Sequence, residues 1–133
     1  MTVLTVALLA GCGRSAEERS NVRPPRPGTP ERAADVQGIY RTIHQGLLQL
    51  RGDGSFVLIV SGEPGPSSGT YTVENGRLAV RSEACGATVG DYRVEVGGQP
   101  VAGKATLHFT AVGDDCEERR RSLTVDPWVY ANS

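Results

Sequence analysis

The sequence predicts an all-β fold: a small antiparallel meander of about seven to eight strands closed into a β-barrel, with a β-sandwich as the alternative. Three observations carry this. From residue 38 onward, apolar residues alternate with polar ones at a period of two, as strands with one buried face require. Turn signals recur at roughly ten-residue spacing. The helical period of 3.6 has only one short candidate, a charged stretch near residue 114.

Taken in order, the first strand is expected over residues 38–51, bent at Gly46, with Leu48 and Leu50 inward. Phe56, Leu58 and Val60 place the next over 54–61. Tyr71 and Val73 mark 69–74, and Leu78 and Val80 mark 77–82. Tyr92, Val94 and Val96 mark 89–96; Leu107, Phe109 and Ala111 mark 104–112. A last strand is expected over 121–131, with Trp128 and Tyr130 on one face, packing into the core. Asp53-Gly54 and Asn75-Gly76 read as hairpins, because a two-residue type I′ loop needs positive φ at both centres. The segments Glu63-Pro64-Gly65-Pro66-Ser67-Ser68 and Gly97-Gly98-Gln99-Pro100 read as loops. Gly38-Ile39-Tyr40, Gly69-Thr70-Tyr71 and Gly90-Asp91-Tyr92 each open a strand: the glycine permits a tight entry, and the tyrosine two residues on returns to the same face. Asp114 to Arg121 reads either as one or two helical turns, with Asp114 as N-cap and arginines near the C-terminal end, or as a charged loop.

The N-terminal part differs in character. Thr2 to Ala10 is an apolar run. It is far shorter than the ~20 residues a membrane-spanning helix needs and has the length of a signal-peptide core. It ends in Leu9-Ala10-Gly11-Cys12, which resembles the bacterial lipobox. The resemblance implies cleavage before Cys12 and a diacylglycerol thioether on its sulfur. The bilayer, reached through acylated Cys12, is then the first partner. The chain is expected to be lipid-anchored in the cell membrane or outer membrane, facing the periplasm or the cell exterior. Residues 13–35 are rich in Arg, Glu and Pro, with Pro24, Pro25, Pro27 and Pro30 lacking the N–H that helices and sheets use. They read as a disordered tether. The domains are thus 1–12 signal peptide, 13–35 tether and 36–133 barrel.

With Cys12 lipidated, Cys85 and Cys116 remain as an even pair in an oxidising compartment, for which a disulfide is the default. Free thiols and a metal pair are the rivals; a metal needs further ligands, and His44 and His108 lack metal-type spacing.

Leu48-Gln49-Leu50-Arg51-Gly52-Asp53-Gly54-Ser55-Phe56, then Gly69-Thr70-Tyr71-Thr72-Val73-Glu74-Asn75-Gly76-Arg77-Leu78, Cys85, Gly90-Asp91-Tyr92, Asp114-Asp115-Cys116 with Arg119, and a late Trp128 form one ordered set. In that order they resemble the small lipocalin-like (calycin-type) β-barrel domains of secreted bacterial proteins, over most of residues 38–130. The resemblance implies an up-and-down barrel around an apolar interior and carries no catalytic residue.

No nucleophile elbow, P-loop, dinucleotide fingerprint or zinc motif occurs. His44 reads as a rim residue and His108 as facing away from Leu107 and Phe109. Ser61-Gly62 has no partner signal. Asp114, Asp115, Glu117 and Glu118 lack the ligand alternation of a calcium loop and read as a solvated charged turn. Arg119-Arg120-Arg121 is a candidate contact for headgroups or an acidic partner. A formal net charge of −1 argues against a nucleic-acid binder. The expectation is a monomeric non-enzyme without cofactor or metal, whose barrel binds a small apolar ligand or an envelope protein. The alternative is a structural or interaction lipoprotein, an inhibitor or accessory factor, with a solid core and no ligand.

Overall fold

The computed structural model of the protein describes residues 24–60, 65–101 and 104–132. Eight strands follow one another: β1 Gly38–Arg41, β2 Leu47–Leu50, β3 Ser55–Ile59, β4 Ser67–Glu74, β5 Arg77–Ser82, β6 Gly90–Val101, β7 Lys104–Gly113 and β8 Trp128–Asn132. Each pairs antiparallel with the next, and β8 returns to β1 through Tyr40↔Tyr130 and Arg41↔Val129, so the meander closes into an up-and-down barrel. Closure replaces the sandwich alternative and leaves no free edge along the paired ring.

The period-two pattern decides what faces inward. Leu48, Leu50, Phe56, Leu58, Tyr71, Val73, Leu78, Val80, Tyr92, Val94, Val96, Leu107 and Phe109 are all buried, and Val60, Ala111 and Tyr130 pack partly against them. Each fully buried apolar side chain contributes ~1.5–3 kcal/mol. The side chains fill the barrel: a residual void of about 10 Å³ remains among Leu48, Phe56, Tyr71, Phe109, Arg119 and Leu123.

Four expectations need correction. The single strand over 38–51 is two strands joined by a turn, with Gln45 at φ 67° and Ile43 81 % exposed at its tip. Gly46 is there because a Cβ would lie 3.1 Å from the Trp128 ring. The last strand does not begin at 121. An α-helix, α1 (Glu117–Thr124), occupies that stretch: helical i, i+4 spacing buries Arg119 and Leu123 together while Arg121, which a strand would turn inward with them, stays exposed. The Gly97–Pro100 loop belongs to β6, which carries a register shift there instead of a break. The tether expected over 13–35 is ordered from residue 24: Gly28 forms a bridge with Val96, Pro25 and Pro30 are buried, and a 3-10 turn, Ala33–Val36, seats Val36 in the core. Fixing the chain on backbone partners offsets the ordering entropy that composition alone suggested was uncompensated.

Both hairpin signals hold, with different loops. Asn75 and Gly76 take φ 50° and 80°, a two-residue loop of the expected kind. Around Asp53 the loop has three residues, Gly52 to Gly54, closed by Arg51 N–H donating to Ser55 O at 3.0 Å. There the Asp53 carboxylate accepts from Ser55 N and Oγ at 2.9 and 2.7 Å, and only Gly54 takes positive φ. Those two bonds hold the Asp53 carboxyl below its ordinary range.

Candidate functional site

The barrel has two rims, and the chain closes each with its own device. At the rim where β1 begins, the 3-10 turn inserts Val36, and Tyr40 Oη donates to Val36 O at 2.7 Å. Tyr71 Oη donates to Arg51 O at 2.6 Å, fixing the β2–β3 loop beside it. Burial pushes both phenols far above the usual tyrosine range, so both remain neutral donors.

At the opposite rim lies the densest polar arrangement in the described residues. Arg119, in the first turn of α1, is 4 % exposed. Its Nε and Nη2 donate to Asp114 Oδ2 and Oδ1 at 2.8 and 2.7 Å, a bidentate fork. Nη1 donates to Ser82 Oγ at 3.0 Å, and Nη2 also to Thr88 O at 3.1 Å. Asp114 further accepts from Tyr92 Oη and from the Cys116 N–H, the latter at 2.9 Å. Gly90 is needed opposite it, since a Cβ would lie 2.5 Å from Asp114 Oδ2. Burial by itself would raise the Asp114 carboxyl. The bonds from Arg119, Tyr92 and Cys116 outweigh it and hold the group below the ordinary carboxylate range. Arg119 is raised, first by its hydrogen bonds to Asp114. Cys116 precedes α1 and sits at disulfide distance from Cys85, with S–S 2.08 Å. A second 3-10 turn, Glu83–Cys85, carries that partner. The start of α1 is therefore pinned to the end of β5 and the β5–β6 connection by a covalent bond and by two hydrogen bonds from a guanidinium whose other two are held by Asp114.

This cluster is a fastener. Both carboxylate oxygens and all three guanidinium nitrogens are engaged in hydrogen bonds. Among the described residues, no buried side-chain polar atom is without a partner, and no three His, Cys, Asp or Glu gather as metal ligands.

Two depressions flank α1. One, of about 380 Å³, is lined by Phe56, Leu58 and Val60 together with Cys85, Cys116 and Ser122. The other, of about 530 Å³, runs between the β1–β2 turn and the end of α1, along Ile43, Val60, Val125 and Trp128. His44 stands beside the second, its Nδ1 2.6 Å from Asp126 Oδ2 and its side chain 71 % exposed. His108 lies on the outer face of β7, 3.1 Å from Thr106 Oγ1. The two histidines thus belong to different elements. Ser61, Cys12 and the lipobox residues lie outside the described residues.

The charged stretch at 114–121 is only in part the solvated turn expected of it. Asp115, Glu117, Glu118, Arg120 and Arg121 are exposed, whereas Asp114 and Arg119 are buried against each other. Arg119 is therefore not available to a headgroup or acidic partner. Nothing in the charge run distinguishes these two residues from their neighbours. The nearest signal is Gly90-Asp91-Tyr92, whose glycine and tyrosine both serve Asp114.

No family model, no curated protein and no solved structure matches the chain.

Proposed function

We propose that this is a lipid-anchored extracytoplasmic module that acts through its surface as a structural or interaction lipoprotein, with no ligand inside the barrel. The filled interior carries this reading. The void enclosed among the core side chains is about 10 Å³, and Val36 and α1 cover the two rims. A ligand-holding barrel needs a cavity of some hundreds of Å³. The anchor rests on Leu9-Ala10-Gly11-Cys12 and on the apolar run before it. The working surface in this reading is the groove beside α1, lined among others by Ile43 and Val125, which are 81 % and 63 % exposed. An apolar pair rimmed by charge suits a protein partner of the envelope. The Asp114–Arg119 fastener and the disulfide hold that groove's helix in place.

The test is native mass spectrometry of the lipidated, oxidised chain after incubation with membrane lipid extract. Only the covalent acyl mass is expected; an additional stoichiometric adduct would overturn the ligand-free reading. In parallel, Cys12→Ala should move the protein out of the membrane fraction, and unchanged membrane association would remove the anchor.

A second reading keeps a small apolar ligand and places it at the α1 rim of the barrel, in the depression lined by Phe56, Leu58 and Val60. It requires the adduct just described, and requires Val60→Arg to abolish it.

A further inference from the structure

The segment upstream of β1 is attached in an unusual way. β6 has twelve residues and β5 has six, and their pairing ends at Arg77↔Arg93. The rest of β6 therefore overhangs the ring on its β5 side. Val94 N–H donates to Gly76 O at 2.9 Å and closes the corner. Beyond it, Gly28 takes both groups of Val96: Gly28 N–H to Val96 O and Val96 N–H to Gly28 O, each 2.8 Å. The tip of the β4–β5 hairpin adds two more bonds, Gly76 N–H to Pro30 O at 2.7 Å and Asn75 N–H to Glu31 O at 3.1 Å.

Each residue type in this crossing is required by its geometry. Gly28 sits at φ 124°, a conformation that side-chain-bearing residues rarely adopt. Gly76 lets the segment pass, since a Cβ there would lie 2.6 Å from Thr29 Cγ2. Pro24, Pro25 and Pro27 supply no N–H, so the pairing with β6 stays one rung long. Just downstream the attachment changes character. Glu31 and Arg32 N–H groups donate to Asp35 Oδ2 at 3.0 and 3.1 Å, Val36 is wholly buried, and Tyr40 holds its carbonyl. Residues from 33 onward are part of the core. Residues 24–31 are held on the rim by four backbone hydrogen bonds and the packing of two prolines.

We propose that residues 24–31 are a detachable strap that sets the reach of the N-terminal anchor. This rests on the lipid-anchor reading above. With the strap docked, eleven residues lie between Cys12 and Pro24, at most about 40 Å of chain at 3.3–3.6 Å per residue step. Released as a unit, the strap adds the stretch up to Ala33, about 30 Å more. The barrel, stapled and packed independently of the strap, stays folded in both states. Tension on the tether arrives first at the Gly28–Val96 rung, which peels before any barrel ladder is loaded. Local units of low stability open ahead of the whole in this manner.

Hydrogen exchange on the full chain tests the strap, both lipidated and as Cys12→Ala. The amides of Gly28, Asn75, Gly76 and Val96 are expected to exchange together, at least about tenfold faster than the slowest amides of β2, β3 and β7. Exchange of those four only at the rate of global unfolding would overturn the proposal. Gly28→Pro removes one donor and forbids the backbone conformation. It should cost Asn75, Gly76 and Val96 at least about tenfold in protection, while the barrel still melts in one transition. A barrel that unfolds with the substitution would make the strap integral and overturn the idea. Gly28→Val keeps the N–H but disfavours the conformation, and should fall between the two. Reflectometry on a supported bilayer then reads the reach: the barrel of Gly28→Pro should stand farther from the membrane than wild type, and equal heights would overturn that part. A wild-type chain that does not bind the bilayer would remove the anchor and the reach together, while exchange in Cys12→Ala still decides the strap.

Discussion

The two ends of the barrel solve the same problem with different chemistry. Both must cover an apolar interior where the sheet stops. The end beside β1 is closed by a local element: the 3-10 turn precedes β1 directly, and Val36 and the Tyr40 hydroxyl reach their partners over four residues. The other end is closed by α1, which must be held against a connection 31 residues away along the chain. Its N-terminus needs long-range fastening, and the chain uses two kinds, a disulfide and a buried charge pair. A local closure is stabilised by packing and short-range hydrogen bonds, those of the Asp35 and Asp53 carboxylates included; with no buried charge pair and no sulfur, it responds to pH less than the other end and to redox conditions not at all. A long-range closure built from charge and sulfur is strong, but it is sensitive to both.

Breaking the charge pair should have the largest effect. Arg119→Met leaves the Asp114 carboxylate buried with its fork removed, and should lower unfolding stability in urea by about 3–5 kcal/mol. The double substitution Arg119→Met with Asp114→Asn should recover a good part of that loss. A single substitution that costs nothing would mean that α1 is held by the disulfide and by Leu123 alone. Removing the disulfide comes next. Cys85→Ser with Cys116→Ser frees a 31-residue separation, which in the chain-entropy view corresponds to ~3–4 kcal/mol. A matching shift should appear when the wild-type protein is reduced, and equal melting with and without reductant would contradict it.

Acid should separate the two ends without any mutation. The folded Asp114 carboxyl titrates below its unfolded value, so it stabilises fully at pH values above the ordinary carboxylate range. That stability is lost as pH falls through and below this range, toward the depressed folded value. The wild type should therefore lose urea resistance on acidification, and Asp114→Asn should show a smaller slope across the same window. Identical slopes would remove Asp114 from the acid response. At the opposite end, Tyr71→Phe deletes one neutral bond to Arg51 O. It should cost only about 1 kcal/mol, with no change in acid or redox response. A pH-dependent penalty there would erase the distinction between the ends.

How much was legible follows the same division. Strand faces were readable because a pleated strand with one wet face repeats every two residues, and Leu48 through Phe109 obey that rule. The hairpin at Asn75-Gly76 was readable because positive φ narrows the residue choice to a few types. The helix was not: Ser122-Leu123-Thr124-Val125 alternates like a strand, and eight residues are too few for a helical period to stand out. The strap was not readable either, since proline-rich polar composition looks disordered until its backbone finds partners.

The sequence by itself determined the all-β character, the inward faces, the hairpins at Asp53-Gly54 and Asn75-Gly76, and a disulfide between Cys85 and Cys116 as the default expectation. All of these depend on interactions short in sequence or on counting a reactive residue type. Only the tertiary structure decided that the interior is filled, that Asp114 and Arg119 leave the charge run to form a buried fork, and that Gly28 pairs with Val96 across 68 positions. Each depends on which surfaces meet once the barrel closes, and a closed ring brings together residues that no local pattern relates.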